Sequence, residues 1–119
     1  MAEPKTYSGG CHCGAVRYEV TTDLATVMAC NCSICGKRGA LWTFAAAAQF
    51  KMLRGADALA DYQFGQKRIH HRFCKVCGVG SFSQGQAPDG SDTFAVNVRC
   101  LDEVDVAALK ITPFDGKSL

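Results

Sequence analysis

Val16, Tyr18 and Val20 alternate with Arg17, Glu19 and Thr21, the two-residue period of a strand with one face buried. The same signature recurs in short pieces along the chain. Leu41 to Phe44 is rich in β formers, and Leu59 to Phe64 and Arg68 to Phe73 read as a strand pair joined by Gly65, Gln66 and Lys67. In the second of that pair Ile69, His71 and Phe73 share one face. Val79 to Ser83 and Phe94 to Val98 complete the set, the latter with Phe94, Val96 and Val98 on one side. Ala45 to Leu53 breaks the pattern. Its residues are good helix formers, but its length and the stop at Gly55 predict only a turn or two. Asp102 to Leu109 predicts another short helix, with Asp102 or Asp105 near its start. The pattern contains no repeat, linker or low-complexity tract, so the expectation is one domain over residues 1–119, mostly β with one or two short helices.

Composition narrows the class. Of 119 residues, 48% are hydrophobic and 20% charged, the balance of an ordinary globular chain rather than a disordered one. A domain this small has a limited core and gains from cross-links. The net charge of +2 is nearly neutral, and Lys37-Arg38 and Lys67-Arg68 are the only adjacent basic pairs. That density is too low for a surface tracking phosphates, so no nucleic-acid partner is expected. Met1 to Gly10 is polar, with Pro4 and Gly9-Gly10, and lacks the apolar core of a signal peptide. No segment has the apolar length of a membrane span. A cytoplasmic protein is expected.

In a reducing compartment eight cysteines point to metal rather than to disulfides, and their spacing agrees. Phe73-Cys74-Lys75-Val76-Cys77-Gly78 has the form of a zinc knuckle, and Cys11-His12-Cys13-Gly14 is a tighter version. Cys11, Cys13, Cys74 and Cys77 together make a four-thiolate structural zinc site that would staple the first strand to the middle of the sheet. Cys30, Cys32 and Cys35 form a second set, reachable by one ion from a single loop. Three thiolates leave a coordination position open, the usual mark of a catalytic zinc. A thiolate-rich centre carries net negative charge, which suits holding an incoming thiol as thiolate better than polarising a carbonyl. Other readings stand beside this one. Cys100 could close the second site as a fourth ligand, the loop could hold zinc weakly, or its thiols could form a redox cluster. Cys100 follows Val96 and Val98 at strand period, which favours a buried apolar cysteine. No acid or base declares itself. His12, His70 and His71 read as structural, and Lys37, Arg38 and Arg99 are surface cations able to steer an anionic substrate.

Gly10-Cys11-His12-Cys13-Gly14-Ala15-Val16, Cys30-Asn31-Cys32-Ser33-Ile34-Cys35 and Phe73-Cys74-Lys75-Val76-Cys77-Gly78 resemble the glutathione-dependent formaldehyde-activating (GFA) family, which includes the domain of centromere protein V. Asn97 to Asp102 and Phe114-Asp115-Gly116 fit its C-terminal pattern, so the resemblance covers a core of about residues 8–116. The segment Gly36-Lys37-Arg38-Gly39 after Cys35 is closer to the short branch containing centromere protein V. The resemblance implies a small zinc-stapled β-sheet fold with two Zn²⁺ per chain. Cys11, Cys13, Cys74 and Cys77 would ligate the structural ion, and Cys30, Cys32 and Cys35 the catalytic one. It also implies a carbon–sulfur lyase that joins a small thiol such as glutathione to a small aldehyde, as in S-(hydroxymethyl)glutathione formation from formaldehyde. The alternative is a non-catalytic zinc domain that binds proteins, as centromere protein V suggests.

Overall fold

The computed structural model describes residues 3–118. In chain order its elements are β1 (Lys5–Gly10), β2 (Arg17–Thr22), β3 (Val27–Cys30), α1 (Ser33–Arg38), β4 (Trp42–Ala46), β5 (Phe50–Arg54), β6 (Leu59–Tyr62), β7 (His70–Cys74), β8 (Phe82–Gln86), β9 (Asp92–Asn97) and β10 (Ile111–Phe114). Single 3₁₀ turns fill several of the connections. The fold is mostly β, as the alternation predicts.

Strands β1, β2 and β5 form an antiparallel sheet with β2 in the centre. The other seven form a second sheet in the order β10-β3-β4-β9-β8-β7-β6, antiparallel except where β10 runs parallel to β3. Pro113 has no N–H to donate, and β10 lies at the sheet edge, where that lack is tolerated. The two sheets meet on an aromatic cluster. Phe50 of the small sheet stacks on Phe94 of the large one, with ring centroids 4.2 Å apart at 8°. Tyr18 and Phe82 complete the cluster, and the Tyr18 hydroxyl donates to the Ser81 carbonyl across the sheets at 3.0 Å. Tyr18 is fully buried, so that bond satisfies a polar group the core would otherwise strand.

Several expectations shift by a few residues or change type. Ala45 to Leu53 is strand, one 3₁₀ turn and strand again. Ala45 and Phe50 are both buried there, and tertiary burial outweighs alanine's helix propensity. Expected strand Val79–Ser83 is displaced to β8, with only Phe82 and Ser83 shared. Ile69 precedes β7 and is 48% exposed rather than packed inside with His71. The segment after Asp102 holds one 3₁₀ turn, Val106–Ala108, whose N-terminus is capped by the Asp105 carboxylate accepting from Ala107 N–H at 3.1 Å. Asp102 instead pairs with Arg17, tying the small sheet to this segment. No helix is long and apolar enough to cross a membrane.

Candidate metal centres

The fold brings the two knuckles together. Cys11 and Cys13 lie in the β1–β2 turn of the small sheet, while Cys74 ends β7 of the large sheet and Cys77 follows in its turn. Their sulfurs all lie within 4.8 Å of one another. Cys11 Sγ is 3.7 Å from Cys13 Sγ, and Cys13 Sγ is 3.7 Å from Cys74 Sγ. A tetrahedral ion with metal–sulfur bonds near 2.3 Å requires an edge of about 3.8 Å, so the thiols are spaced as a zinc-sized ion demands. All eight cysteines are free thiols.

Backbone geometry explains why the sequence folds this way. In the first turn Cys11 N–H donates to the Val16 carbonyl at 3.1 Å, and Val16 N–H donates back to Cys11 Sγ at 3.3 Å. In the second, Gly78 N–H closes on the Cys74 carbonyl at 2.7 Å with Gly78 at φ +82°, a left-handed conformation that favours glycine. Val76 N–H points at Cys74 Sγ at 3.4 Å. Such N–H groups stabilise thiolates. The Val79 and then the Cys13 backbone N–H groups bring the Cys77 thiol down to about 6. Cys13 has an Ala15 N–H favouring its thiolate, yet desolvation and the neighbouring sulfurs push it up to about 11. Four adjacent thiols cannot all ionise without a cation among them, and a divalent metal removes that conflict.

Cys30 ends β3, Cys32 occupies the N-cap of α1, and Cys35 lies within that helix. Their sulfurs again lie within 4.8 Å, and among the described residues no fourth Cys, His, Asp or Glu joins the cluster. Cys32 N–H donates to Cys30 Sγ at 3.4 Å and the Trp42 indole N–H to Cys35 Sγ at 3.2 Å. Burial raises the Cys35 thiol to about 12 despite that indole donor, with the Cys32 and Cys30 sulfurs adding to the rise. Cys100 does not close this centre. It lines a surface cleft with Cys11, beside the four-thiol cluster, and burial and then Cys11 and Cys77 push its thiol up to about 11. A 3₁₀ turn, Val98–Cys100, replaces the strand geometry that the period suggested.

A strap from the end of the chain holds the three-thiol loop. Asn31 N–H donates to the Phe114 carbonyl at 3.2 Å and Asn31 Nδ2 to Asp115 Oδ1 at 2.9 Å, while Lys117 N–H donates to Asn31 Oδ1 at 2.9 Å. Gly116 passes so close that a Cβ there would sit 2.6 Å from Cys30 Sγ. Gly116→Ala is therefore expected to weaken metal retention at this centre by about tenfold, the scale of a modest overpacking penalty. Competition against a graded chelator would show it, with the four-thiol centre unchanged. Loss at both centres alike would mean that the strap supports the whole fold rather than this loop.

The expected cations divide between the centres. Lys37 and Arg38 end α1, and Arg38 packs against Gly80 in the loop before β8. Arg99 lines a surface cleft with Cys11, His12 and Cys100. His12 is exposed and His70 pairs with Asp61 at 2.8 Å. His71 is buried and stacks on Phe64 with centroids 5.3 Å apart. Burial first and Arg38 second hold its imidazole below the ordinary histidine range. Sequence reasoning missed Trp42 as a sulfur donor and Asn31 as the anchor of the strap. The lone tryptophan and the Phe114-Asp115-Gly116 turn were the available signals.

The family model described as "Glutathione-dependent formaldehyde-activating enzyme" matches residues 6–114. The crystal structure of a Rhodobacter sphaeroides protein superposes with a TM-score of 0.78 at 36% sequence identity, covering 89% of this chain and 97% of that one.

Proposed function

Because the chain belongs to the glutathione-dependent formaldehyde-activating enzyme family, we propose that it is a zinc-dependent carbon–sulfur lyase catalysing addition of a small thiol to a small aldehyde. Cys11, Cys13, Cys74 and Cys77 hold a structural zinc in this reading, and Cys30, Cys32 and Cys35 a catalytic one. The observation that carries it is the three-thiol cluster without a fourth protein ligand among the described residues. Zinc at that centre supplies Lewis acidity that keeps an incoming sulfur deprotonated near neutral pH.

The protein's own groups do the rest. Cys30, Cys32 and Cys35 fix three corners, and the Trp42 indole N–H draws charge from the Cys35 sulfur, leaving it a weaker donor. Lys37 and Arg38, on the same short helix as Cys35, present positive charge to the carboxylates of a thiol such as glutathione. Arg99, beside the other cluster, is not placed to do so. In the reaction the thiol sulfur forms a bond to the carbonyl carbon as the C=O π pair moves to oxygen. That oxygen takes up the proton the thiol released, so the product is a hydroxyalkyl thioether and nothing is oxidised or reduced.

Calorimetry of glutathione binding in two buffers of different ionisation enthalpy tests this. Binding should release up to about one proton per chain at neutral pH. It should weaken as salt screens Lys37 and Arg38, and vanish in Cys32→Ser. Thiols of several sizes that neither bind nor release a proton from a protein carrying two zinc ions would overturn the lyase reading and leave a non-catalytic protein-binding domain.

A further inference from the structure

The three-thiol centre has two aromatic neighbours, Trp42 and Phe114, of which the thiol-addition chemistry uses only Trp42. Phe114 is registered opposite Cys30 in the parallel β10–β3 pair, and Met28 opposite Trp42 in the β3–β4 pair. Registered residues share a face, and so do residues two apart on a strand. Phe114, Cys30 and Trp42 therefore stand on the same face of the large sheet. Trp42 is 5% exposed and gives its indole N–H to Cys35 Sγ. Phe114 is 39% exposed although its backbone is fixed, its carbonyl accepting from the N–H of Asn31, next to Cys30. The ring is also close to the sulfur. A Cβ built on Gly116 would lie 2.6 Å from Cys30 Sγ and 3.5 Å from Phe114 Cε2, so ring edge and sulfur are no farther apart than those two distances end to end. The three thiols keep within 4.8 Å of one another. A fourth sulfur joining them at that spacing brings its attached carbons into the shell that the Phe114 ring edge occupies.

We propose that Phe114 is a specificity-determining residue of the open centre, packing against the carbon body next to the entering sulfur. This rests on the thiol-addition reading and narrows its substrate to a thiol with apolar, ring-sized carbons beside the sulfur and any anionic group farther away. Charge sets that orientation. Asp115 follows Phe114 on the strap, and hydrogen bonds from Ser118 and then Asn31 hold its carboxyl below the ordinary carboxylate range. An anionic group on that side would meet like charge, whereas Lys37 and Arg38 lie past Cys35 at the C-terminal end of α1. A solvent-facing phenyl ring gains from burial against an apolar body, and gains most from an aromatic one.

Benzyl mercaptan and 2-mercaptoethanol, each added without aldehyde to the two-zinc protein, compare an apolar and a polar body on the same entering group. NMR titration should show both binding saturably, benzyl mercaptan the tighter, with nuclear Overhauser contacts between its ring and that of Phe114. Phe114→Ala should keep both zinc ions, weaken benzyl mercaptan roughly fivefold, the scale of one aromatic contact, and change 2-mercaptoethanol by less than about twofold. Phe114→Leu, which keeps an apolar side chain, should fall between. Ile111→Ala, on the same strand but the opposite face, should bind both thiols as wild type does. A Phe114 that only supports the strap would, on replacement, weaken both thiols alike or release a zinc ion, and either result overturns the proposal. Benzyl mercaptan affinity unchanged in Phe114→Ala also overturns it, and leaves the lyase reading standing. Absence of binding by either thiol overturns both together.

Discussion

Replacing Cys74 by serine is expected to leave no stably folded protein. Cys74 is fully buried, and its sulfur meets that of Cys13 across 61 positions of sequence and two separate sheets. In small metal-stapled domains the ion's apparent binding energy, about 10–16 kcal/mol, is part of the folding energy. Whole domains are stable by only about 5–15 kcal/mol, so weakening this centre takes away most of what holds the sheets together. Cys74→Ser should express as aggregate or melt without a cooperative transition, and Cys11, Cys13 and Cys77 should share the effect. Circular dichroism melts with metal analysis on the same samples would show it. A soluble Cys74→Ser variant with unchanged Tm and full zinc content would contradict the four-thiol assignment.

Cys32→Ser should have the opposite character, a large functional loss with the fold intact. The three-thiol loop closes only the short stretch from Cys30 to Cys35, so an ion there constrains little chain. Cys32 is also the N-cap of α1 without a side-chain capping bond, and serine is a preferred N-cap. The variant should therefore keep one zinc of two, melt within about 5 °C of wild type, and lose thiol binding. Metal analysis finding both ions lost together would mean that the centres form one cooperative structural unit.

The alternation at Val16 to Thr21 and Phe94 to Val98 was readable because one face of each strand is buried and the other is not. The cysteine clusters were readable because close-spaced thiols constrain which sulfurs can meet, whatever the strands between them do. Elements held by context were not. Strand β1 contains Gly9 and Gly10, whose value is close backbone approach rather than side-chain pattern. Strand β10 is four exposed residues with a proline, and exists because Asn31 and β3 hold it in place. The alanines after Phe44 read as helix formers, yet Ala45 and Ala46 finish β4 and Ala47 and Ala48 enter an exposed 3₁₀ turn, because Ala45 and Phe50 on either side are drawn into the core. Cys100 lay at strand period behind Val98 but turned into a 3₁₀ loop beside Cys11, a placement that depends on the Gly9–Leu101 bridge.

Zinc X-ray absorption of the two-zinc protein, before and after addition of a small thiol, tests most directly whether the three-thiol centre is open. A four-thiolate and a three-thiolate ion average about 3.5 sulfurs per zinc, and filling the open position with a thiol raises that average to about four. The rise should be absent in Cys32→Ser, which retains only the four-thiol ion. An average that stays unchanged on adding thiol to the fully loaded wild-type protein would contradict the account.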